Sequence, residues 1–404
     1  MSGSGLRFCM FTTFYPPYSF GGDGIFVQRL AKALLRRGHH VEVICNQDAY
    51  EVLAGRKRHD APEEPFPVHR LSSRMPRWAL LAVQQSGHPG PYGAAIGKIL
   101  AQGSFDVLHF HNISLLGGPG PLDLGRAVKL YTAHEHWLIC PTHTLWKFNR
   151  EPCQSKACLA CTLHRRRPPQ LWRYLGWQGR MLRRLDALLC PSRFSLQRHR
   201  NEGLPVPMLR LPHFLPQTPL APDDSEAPPY FLVVGRLERL KGIHTLLPWP
   251  ETERAQLWIA GRGPEKVRLQ KAARDQRVRF LGLQSQHRLQ RLYRNALALI
   301  IPSLGYEAFG LVALEAFAQA TPVIARKRGA LTEVIEESGA GFLYTNPQEL
   351  TQALQRLQSR PALRREKGEA GRRALKRLWS EERHLERYLG LIESIRAGQG
   401  PERD

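Results

Sequence analysis

The segment LRFCMFTTFYPPYSFGGDGIFVQRLAKALLRRGHHVEVICN, residues 6–46, decides the fold. Its two ends, LRFCMFTTF and VEVICN, are apolar runs rich in β-branched and aromatic residues, which predict buried strands. Between them Phe26, Leu30 and Leu34 recur at helical spacing, and Gly38 stands where a helix would end. A strand, a helix that opens with glycines and a second strand form a β-α-β unit, which is typical of a doubly wound parallel sheet.

The same alternation of strands and helices occurs twice in the chain. Further strands are predicted at 105–111, 127–136 and 187–192, and then at 230–235, 255–261, 278–282, 296–303 and 321–325. Between the two sets lies PQTPLAPDDSEAPP, residues 216–229, whose five prolines and lack of periodicity indicate a linker. The sequence therefore predicts an α/β protein with two Rossmann-like, doubly wound domains that face each other across a cleft.

These patterns set the expected domain boundaries. We expect an amino-terminal domain at 1–215, the linker at 216–229, a carboxyl-terminal domain at 230–375 and a helix at 376–396. Because this last helix carries an apolar stripe, we expect it to cross back onto the first domain, so truncation before Arg377 should destabilise that domain.

Composition excludes several classes of protein. The 404 residues are 42% hydrophobic, which excludes a disordered or fibrous chain. No run of about 18 uncharged apolar residues occurs, and the amino terminus lacks a basic region and a cleavage site, so we expect a cytoplasmic protein. The net charge of +23 predicts attraction to a polyanion: a nucleotide, a phosphorylated substrate, an anionic membrane or a nucleic acid.

The segment GYEAFGLVALEAFAQATPVIA, 305–325, carries two glutamates, Glu307 and Glu315, separated by seven residues. It follows a predicted strand and continues as a helix, so the amides of Phe309, Gly310 and Leu311 would lie at a helix N-terminus that favours a diphosphate. A carboxylate can accept hydrogen bonds from two vicinal sugar hydroxyls. The alternative is an ordinary loop and helix with surface glutamates.

Two earlier strands end in residues suited to the same ligand. The first ends in Gly235 and Arg236, with Lys241 five residues later, and these cations can neutralise a diphosphate at the carboxyl end of a sheet. The second ends in Gly261 and Gly263, where small residues let backbone approach a nucleotide. Solvated surface cations and a plain turn are the alternatives.

Together these residues resemble the retaining nucleotide-sugar glycosyltransferases of family 4, which have the GT-B fold. The family's motifs are matched in order along the chain by FTTFYPPYSFGGDGIFV, FDVLHFHN, TAHEHW, PSRF, VVGRLERLKG, IAGRGPE and EAFGLVALE. The resemblance implies a hexosyltransferase that uses a nucleoside-diphosphate sugar and a glycan or lipid-linked glycan acceptor, in surface polysaccharide or glycolipid assembly.

The resemblance also implies residue roles. Arg236 and Lys241 would hold the donor diphosphate, and Glu315 would hold the ribose hydroxyls. Glu307, with the loop amides from Ala308 through Phe309 and Gly310 to Leu311, would hold the donor sugar and diphosphate.

In the first domain the resemblance assigns His134, in TAHEHW, to the cleft near the sugar and diphosphate. Gly21 and Gly22 match the family's glycine loop, which lets acceptor and diphosphate come close. His109 and His111 are expected to face opposite sides of their strand, with at least one of them structural. We expect His134, Glu307, Arg236 and Lys241 to be the catalytic residues and the two domains to close on the donor.

The family's reaction retains the anomeric configuration, which implies same-face attack as the diphosphate departs, without a protein nucleophile. The chain has no DxD-type acidic motif for a divalent metal, and Arg236 and Lys241 can supply the positive charge instead. We therefore expect catalysis without a metal ion.

Cys140, Cys153, Cys158 and Cys161 form the pattern C-x12-C-x4-C-x2-C inside an expected insertion at 137–165. Four soft ligands at this spacing predict a structural zinc site or an iron–sulfur cluster. Thiols without metal and a redox disulfide are the alternatives. The insertion is not part of the general family pattern.

The segment 164–186 mixes arginines with Leu171, Tyr174 and Leu175, among other apolar residues, which suits an anionic membrane face. A helix packed on the first domain is the alternative.

Two other functions compete with that of a glycosyltransferase. One is a nucleic-acid-binding protein with a metal module, and the other is a catalytically silent nucleotide-sugar-binding scaffold. Nucleic acid is the less favoured partner because the basic residues are spread over both halves and no nucleic-acid-binding motif is present.

Overall fold

The structure is a computed structural model that describes residues 5–55, 61–223, 227–247, 249–250 and 254–400. The chain divides into two compact units. Unit 1 consists of Met1–His143, Ala157–Leu211 and Leu385–Asp404, and unit 2 consists of Thr144–Lys156 and Pro212–His384. Residues 224–226 of the expected linker lie outside the described residues. The domain boundaries expected from the sequence stay predictions.

Strands recur along the whole described chain. They are β1 (Arg7–Thr12), β2 (His40–Asn46), β3 (Val68–Leu71), β4 (Val107–Phe110), β5 (Val128–Thr132), β6 (Trp146–Lys147), β7 (Glu151–Pro152), β8 (Ala187–Cys190), β9 (Met208–Arg210), β10 (Tyr230–Val234), β11 (Gln256–Ala260), β12 (Val278–Gly282), β13 (Leu299–Ile301), β14 (Val323–Arg326) and β15 (Gly341–Tyr344).

Helices separate most of these strands. They are α1 (Gly22–Arg36), α2 (Gln47–Ala54), α3 (Pro76–Ser86), α4 (Gly93–Gly103), α5 (Cys158–His164), α6 (Trp177–Leu182), α7 (Arg193–Arg200), α8 (Lys266–Ala272), α9 (Gln286–Arg294), α10 (Leu311–Ala318), α11 (Ala330–Ser338), α12 (Pro347–Ser359), α13 (Pro361–Leu378) and α14 (Glu381–Arg396).

Each unit is built on one parallel sheet. The sheet of unit 1 has the order β3-β2-β1-β4-β5-β8-β9, and the sheet of unit 2 has the order β12-β11-β10-β13-β14-β15. All neighbouring strands in both sheets are parallel. In each sheet the strand order reverses beside the first strand, β1 or β10, which is where doubly wound folds bind ligands. The predicted α/β class with two doubly wound domains is confirmed.

The first β-α-β unit forms as its sequence indicates. Phe26, Leu30 and Leu34 of α1 are almost completely buried, so the predicted stripe faces the sheet. Gly38 has a φ of +82°, a left-handed conformation that a residue with a side chain adopts at a cost. The chain therefore turns at Gly38 and enters β2, whose residues pair in parallel with β1.

Three strands of the two parallel sheets were not expected from the sequence: β3, β9 and β15. Each has three or four residues and lies at the edge of its sheet. Such a short segment has too little periodicity to be distinguished from a loop, and it becomes a strand because a neighbour supplies hydrogen-bond partners on one side.

The carboxyl-terminal helix α14 runs from the end of unit 2 into unit 1. Leu385, Tyr388 and Ile392 are fully buried, and the Arg396 guanidinium lies 3.6 Å from the Asp106 carboxylate. Ile392 therefore completes the buried stripe, whereas its neighbour Leu391 is only half-buried. Among the described residues no helix is both long and apolar enough to cross a membrane.

Candidate active site

In unit 2 the loops that follow β10 and β13 pack directly against each other. The backbone amides of Leu304 and Gly305 donate to the Leu240 carbonyl at 2.9 and 3.1 Å. Gly242 has a φ of +70°, and a Cβ there would lie 2.0 Å from the Pro302 carbonyl oxygen. Only glycine fits this contact, so the chain itself fixes how the two predicted motifs approach.

An ion pair joins these two loops. Lys241 Nζ lies 2.7 Å from Glu307 Oε1, and Ser303 Oγ donates to the same oxygen at 2.7 Å. Burial raises the pKa of Glu307, but Lys241, Ser303 and Arg236 outweigh it and hold that pKa below its ordinary value. Glu307 is therefore ionised at neutral pH, and it aims the Lys241 ammonium. Ser303 is a site residue that sequence reasoning missed, although it is the last residue of a predicted strand.

Arg236 follows β10 and is more accessible than Lys241. Its side chain is 51% exposed, and its guanidinium lies 3.0 Å from the Glu238 carboxylate. A pair this exposed contributes only about 0–1 kcal/mol, so a diphosphate can displace Glu238 at little cost. Both predicted cations are thus present at one edge of the sheet, each with a carboxylate partner.

Helix α10 begins at Leu311, directly after the motif loop, as its sequence predicts. Gly310 precedes it with a φ of +115°, and the first amides of α10 have no partner within the helix. Ala308 and Phe309 are buried, and the Phe309 ring packs against Trp379 and His213. The Phe309 side chain therefore anchors the loop, so Phe309 can offer a ligand only its backbone groups.

Glu315 lies just over one turn inside α10 and is half-buried. The Tyr293 hydroxyl of α9 donates to Glu315 Oε2 at 3.0 Å, which orients the carboxylate. Tyr293 was not identified from the sequence because its helix is 22 residues away, and no spacing rule connects the two positions. Tyr293 orients Glu315, whereas Lys241 and Ser303 hold Glu307, so the two glutamates can serve different parts of a ligand.

Three predicted glycines differ in what surrounds them. A Cβ at Gly261 would lie 1.9 Å from the Gly235 carbonyl oxygen, and one at Gly263 would lie 2.4 Å from the Leu237 carbonyl oxygen. These two glycines are therefore required by loop packing within the protein. By contrast, no atom lies within 4 Å of the Cβ position of Gly235, so space remains there.

In unit 1 three histidines gather where β4 and β5 end. His111 Nδ1 lies 2.9 Å from His134 Nε2, and the rings of His109 and His111 are 3.9 Å apart. The expectation that His109 and His111 face opposite sides is wrong, because residues two apart on a strand share a face. His134 also lies 5.2 Å, ring to ring, from Phe26 of α1.

The predicted glycine loop precedes α1 in the same unit. Gly21 is the N-cap of α1, and Gly22 is its first residue. A Cβ at Gly21 would meet only the Asp23 carboxylate, at 3.6 Å, so the fold does not require glycine there. Asn112, which follows β4, donates to Asp23 at 3.3 Å and ties the start of α1 to the sheet.

The predicted four-cysteine metal site is not supported. Among the described residues no group of three or more His, Cys, Asp or Glu side chains is arranged to hold a metal ion. Cys140 Sγ lies 3.3 Å from the Thr142 hydroxyl, whereas Cys153 Sγ lies 3.6 Å from the Ser155 carbonyl oxygen. Cys158 and Cys161 are part of the short helix α5. The spacing in sequence suits zinc, but Cys140 and Cys153 each contact a polar group two residues along the chain.

Comparison with known proteins identifies relatives over most of the chain. Residues 20–213 match the family described as Glycosyltransferase Family 4, and residues 221–374 match the family Glycosyl transferases group 1. An uncharacterized glycosyltransferase of Methanocaldococcus jannaschii is 25% identical over 382 residues, covering 88% of this chain and 89% of the relative. Glycogen synthase of Mycobacterium tuberculosis is 28% identical, covering 83% and 81%. The MMP alpha-(1->4)-mannosyltransferase of Mycolicibacterium hassiacum is 26% identical, covering 87% and 90%.

Solved structures share the fold. Sucrose-phosphate synthase from Thermosynechococcus elongatus superposes with a TM-score of 0.75 at 22% identity, covering 97% of this chain and 100% of that chain. Anabaena HepE, solved with UDP and glucose, superposes with a TM-score of 0.66 at 16% identity, covering 96% and 100%. The predicted GT-B fold is confirmed.

Proposed function

This chain belongs to the group 1 and family 4 glycosyltransferases, and we propose that it transfers a hexose from a nucleoside-diphosphate sugar with retention of configuration. The acceptor in this proposal is a glycan or a lipid-linked glycan used in surface polysaccharide or glycolipid assembly. The observation that carries the proposal is the Lys241–Glu307–Ser303 cluster at the carboxyl ends of β10 and β13, with Arg236 beside it.

The cluster fits a leaving diphosphate. As the bond from C1 of the hexose to the phosphate oxygen breaks, negative charge develops on the diphosphate. Lys241 and Arg236 can stabilise that charge, and Lys241 is already oriented by Glu307, so little reorganisation is needed. The first amides of α10 add donors and the positive end of a helix dipole.

The remaining donor-side residues have distinct proposed roles. Glu307 is ionised and accepts from Lys241 and Ser303 through Oε1, so Oε2 is the oxygen we assign to a hydroxyl of the donor sugar. Glu315, oriented by Tyr293, accepts hydrogen bonds from the two ribose hydroxyls. Gly235, whose Cβ position is open, lets the nucleotide approach backbone.

The transfer itself needs no protein nucleophile in this proposal. The acceptor hydroxyl oxygen attacks C1 from the face that the diphosphate leaves, and its proton passes to the departing phosphate oxygen. His134 with Gly21 and Gly22 of unit 1 serves the sugar and diphosphate, as the family resemblance implies.

We further propose that Arg236 and Lys241 replace a divalent metal in neutralising the diphosphate. Turnover is then expected to persist in EDTA. Full loss of activity in EDTA with recovery on addition of Mg²⁺ would contradict this part of the proposal.

Nucleotide binding is the first experiment. Calorimetry of the purified protein with UDP, GDP, ADP and their common sugar conjugates is expected to identify one nucleotide, with affinity lowered in Lys241→Ala and Glu315→Ala. Lys271→Ala on α8 and Glu336→Ala on α11 are matched controls, because both side chains are exposed on other helices of unit 2. If the folded protein binds none of these ligands, the donor proposal is wrong.

A lipid-linked acceptor would place the protein at the cytoplasmic face of a membrane, and unit 1 offers a suitable surface. Leu159 and Leu163 of α5 are exposed, as are Leu171, Tyr174 and Leu175. The exposed arginines Arg166, Arg180 and Arg183 come from the same stretch of chain. Exposed apolar side chains with cations suit an anionic interface. Other apolar residues of 164–186, such as Trp172 and Met181, are instead buried in the unit 1 core.

Sedimentation with anionic liposomes tests this membrane proposal. Binding is expected at low salt, weaker at high salt, and strongly reduced when Leu171 and Leu175 are changed together to Ser. Leu283→Ser is the matched control, because Leu283 is an equally exposed leucine of unit 2. Absence of binding at low salt removes the proposal.

A further inference from the structure

The hydrogen bond between His111 and His134 constrains the histidine that the proposed function assigns to the donor sugar. A hydrogen bond between two imidazole nitrogens needs one N–H donor and one lone pair, so His111 Nδ1 and His134 Nε2 share a single proton at 2.9 Å. The tautomer of His134 is therefore linked to that of His111. Since His111 is only 1% exposed, its ring also limits how His134 can rotate.

The strand geometry explains why these two side chains meet. Strands β4 and β5 are neighbours, and Phe110 is in register with Tyr131. His111 directly follows Phe110, and His134 lies three residues after Tyr131, at the same edge of the sheet. Phe26 packs near His134 with a ring separation of 5.2 Å, so the imidazole lies between an aromatic ring and a hydrogen-bonding partner.

His111 is in turn supported by His109, which contacts Tyr388 of the carboxyl-terminal helix α14. The His109 ring lies 3.9 Å from it, His109 Nε2 is 2.8 Å from Thr132 Oγ1, and His109 Nδ1 is 2.8 Å from the Tyr388 hydroxyl. Tyr388 belongs to α14 and is fully buried. Burial raises its pKa well above the usual value, so it remains a neutral phenol.

We propose that His111 is a positioning residue that sets the orientation and tautomer of His134, and that Tyr388 on the carboxyl-terminal helix holds His111 in place through His109. This inference rests on the proposed role of His134. In this inference His111, His109 and Tyr388 affect the reaction through His134 and do not themselves touch the substrate.

Variants at His111 separate hydrogen bonding from packing. His111→Leu removes the ring nitrogen, whereas His111→Asn places a side-chain amide close to the position of Nδ1. We expect His111→Leu to lower kcat by up to about 100-fold with little change in the donor KM, and His111→Asn to recover much of that loss. Tyr388→Phe, which removes only the hydroxyl, is expected to have a smaller effect in the same direction.

His199→Leu is the matched control. His199 is a fully buried histidine of unit 1, on α7, whose Nδ1 lies 2.8 Å from the Ser195 carbonyl oxygen. If the effect at His111 were only the loss of a buried imidazole, the folded His199→Leu protein would show the same fall in kcat.

A measurement on the imidazole itself does not depend on turnover. In protein labelled with ¹⁵N-histidine, the ring nitrogen signals of His134, assigned by their loss in His134→Gln, report which nitrogen carries the proton. We expect these signals to move in His111→Leu and to stay near their original position in His111→Asn and His199→Leu. Unchanged His134 signals in folded His111→Leu would overturn the inference, even if the enzyme were active. Changed signals without activity on any donor would instead support the inference and count against the proposed function.

Discussion

The two units place different chemistry at the carboxyl ends of neighbouring strands in the same kind of parallel sheet. In unit 2 the carboxyl ends of β10 and β13 carry an ion pair, Lys241–Glu307, held by Ser303. In unit 1 the carboxyl ends of β4 and β5 carry imidazoles joined by hydrogen bonding and ring contact. The first arrangement supplies charge, whereas the second supplies orientation.

The two clusters also differ in what supports them. The ion pair depends on the contact between the two loops that carry Lys241 and Glu307. One glycine, Gly242, permits that contact. The histidine cluster depends on Tyr388, which is 279 residues from His109. A substitution within the two loops is therefore expected to disrupt the ion pair, whereas truncation of α14 is expected to disrupt the histidine cluster.

Removal of the chain after His384 should have the largest effect. It deletes Leu385, Tyr388 and Ile392, which are fully buried in unit 1, and each contributes roughly 1.5–3 kcal/mol. A loss of about 5 kcal/mol or more approaches the whole stability of a domain. Calorimetry should show unit 1 unfolding at much lower temperature while nucleotide still stabilises unit 2. An unchanged melting curve would mean that α14 does not support unit 1.

Lys241→Ala should come next. It removes the ammonium that faces the proposed diphosphate and leaves Glu307 without its strongest attractive charge. We expect kcat to fall by about 10²–10³-fold. Lys271→Ala changes the net charge equally and should leave kcat within about twofold of wild type, in the same steady-state assay. Equal effects of the two variants would mean that overall charge, not the ion pair, matters.

Gly242→Ala tests the loop contact without touching a charged group. Its Cβ would lie 2.0 Å from the Pro302 carbonyl oxygen at a φ of +70°, so we expect destabilisation of about 1–3 kcal/mol. Gly97→Ala in α4 is the control, because no atom lies within 4 Å of its Cβ position and alanine favours a helix. Urea unfolding followed by fluorescence measures both. A Gly242→Ala protein as stable as wild type would show that the loops are not held together as described.

The smallest effect is a pH dependence of unit 2. The pKa of Glu307 is lowered in the folded protein, so its ionised form contributes stability above the unfolded-state pKa. That contribution is lost as the pH falls through the lowered folded value. The difference in unfolding free energy between wild type and Glu307→Gln should therefore be constant from pH 7 to about pH 5 and shrink only below this range. A difference that already shrinks between pH 7 and 6 would contradict the lowered pKa.

The sequence alone was sufficient for the fold and for locating the loops that carry the proposed donor residues. Long buried strands such as β1 and the amphipathic helix α1 carry their periodicity locally, so composition and spacing identify them. Glu307, Lys241 and Arg236 were identified because each lies within a few residues after a predicted strand, and parallel strands gather their carboxyl ends at one edge.

The sequence was misleading where local spacing does not decide a contact. The four cysteines have a spacing suited to zinc, but among the described residues no group of three or more ligand side chains is arranged to hold a metal ion, and Cys140 and Cys153 each contact a residue two positions along the chain. Edge strands such as β15 depend on a neighbour for their hydrogen bonds, so their own sequence is a weak signal.

The sequence by itself determined the class of the protein, its two parallel sheets and the order of its motifs, because these depend on periodicity and on residues close in the chain. Only the tertiary structure decided which side chains pair: Lys241 with Glu307, Tyr293 with Glu315, and His111 with His134. Hydrogen bonds form between atoms within about 3 Å, and no spacing rule predicts which distant residues the folded chain brings that close. The hydrogen bond from Tyr388 to His109 joins residues that are 279 positions apart in the sequence, more than in any of these three pairs.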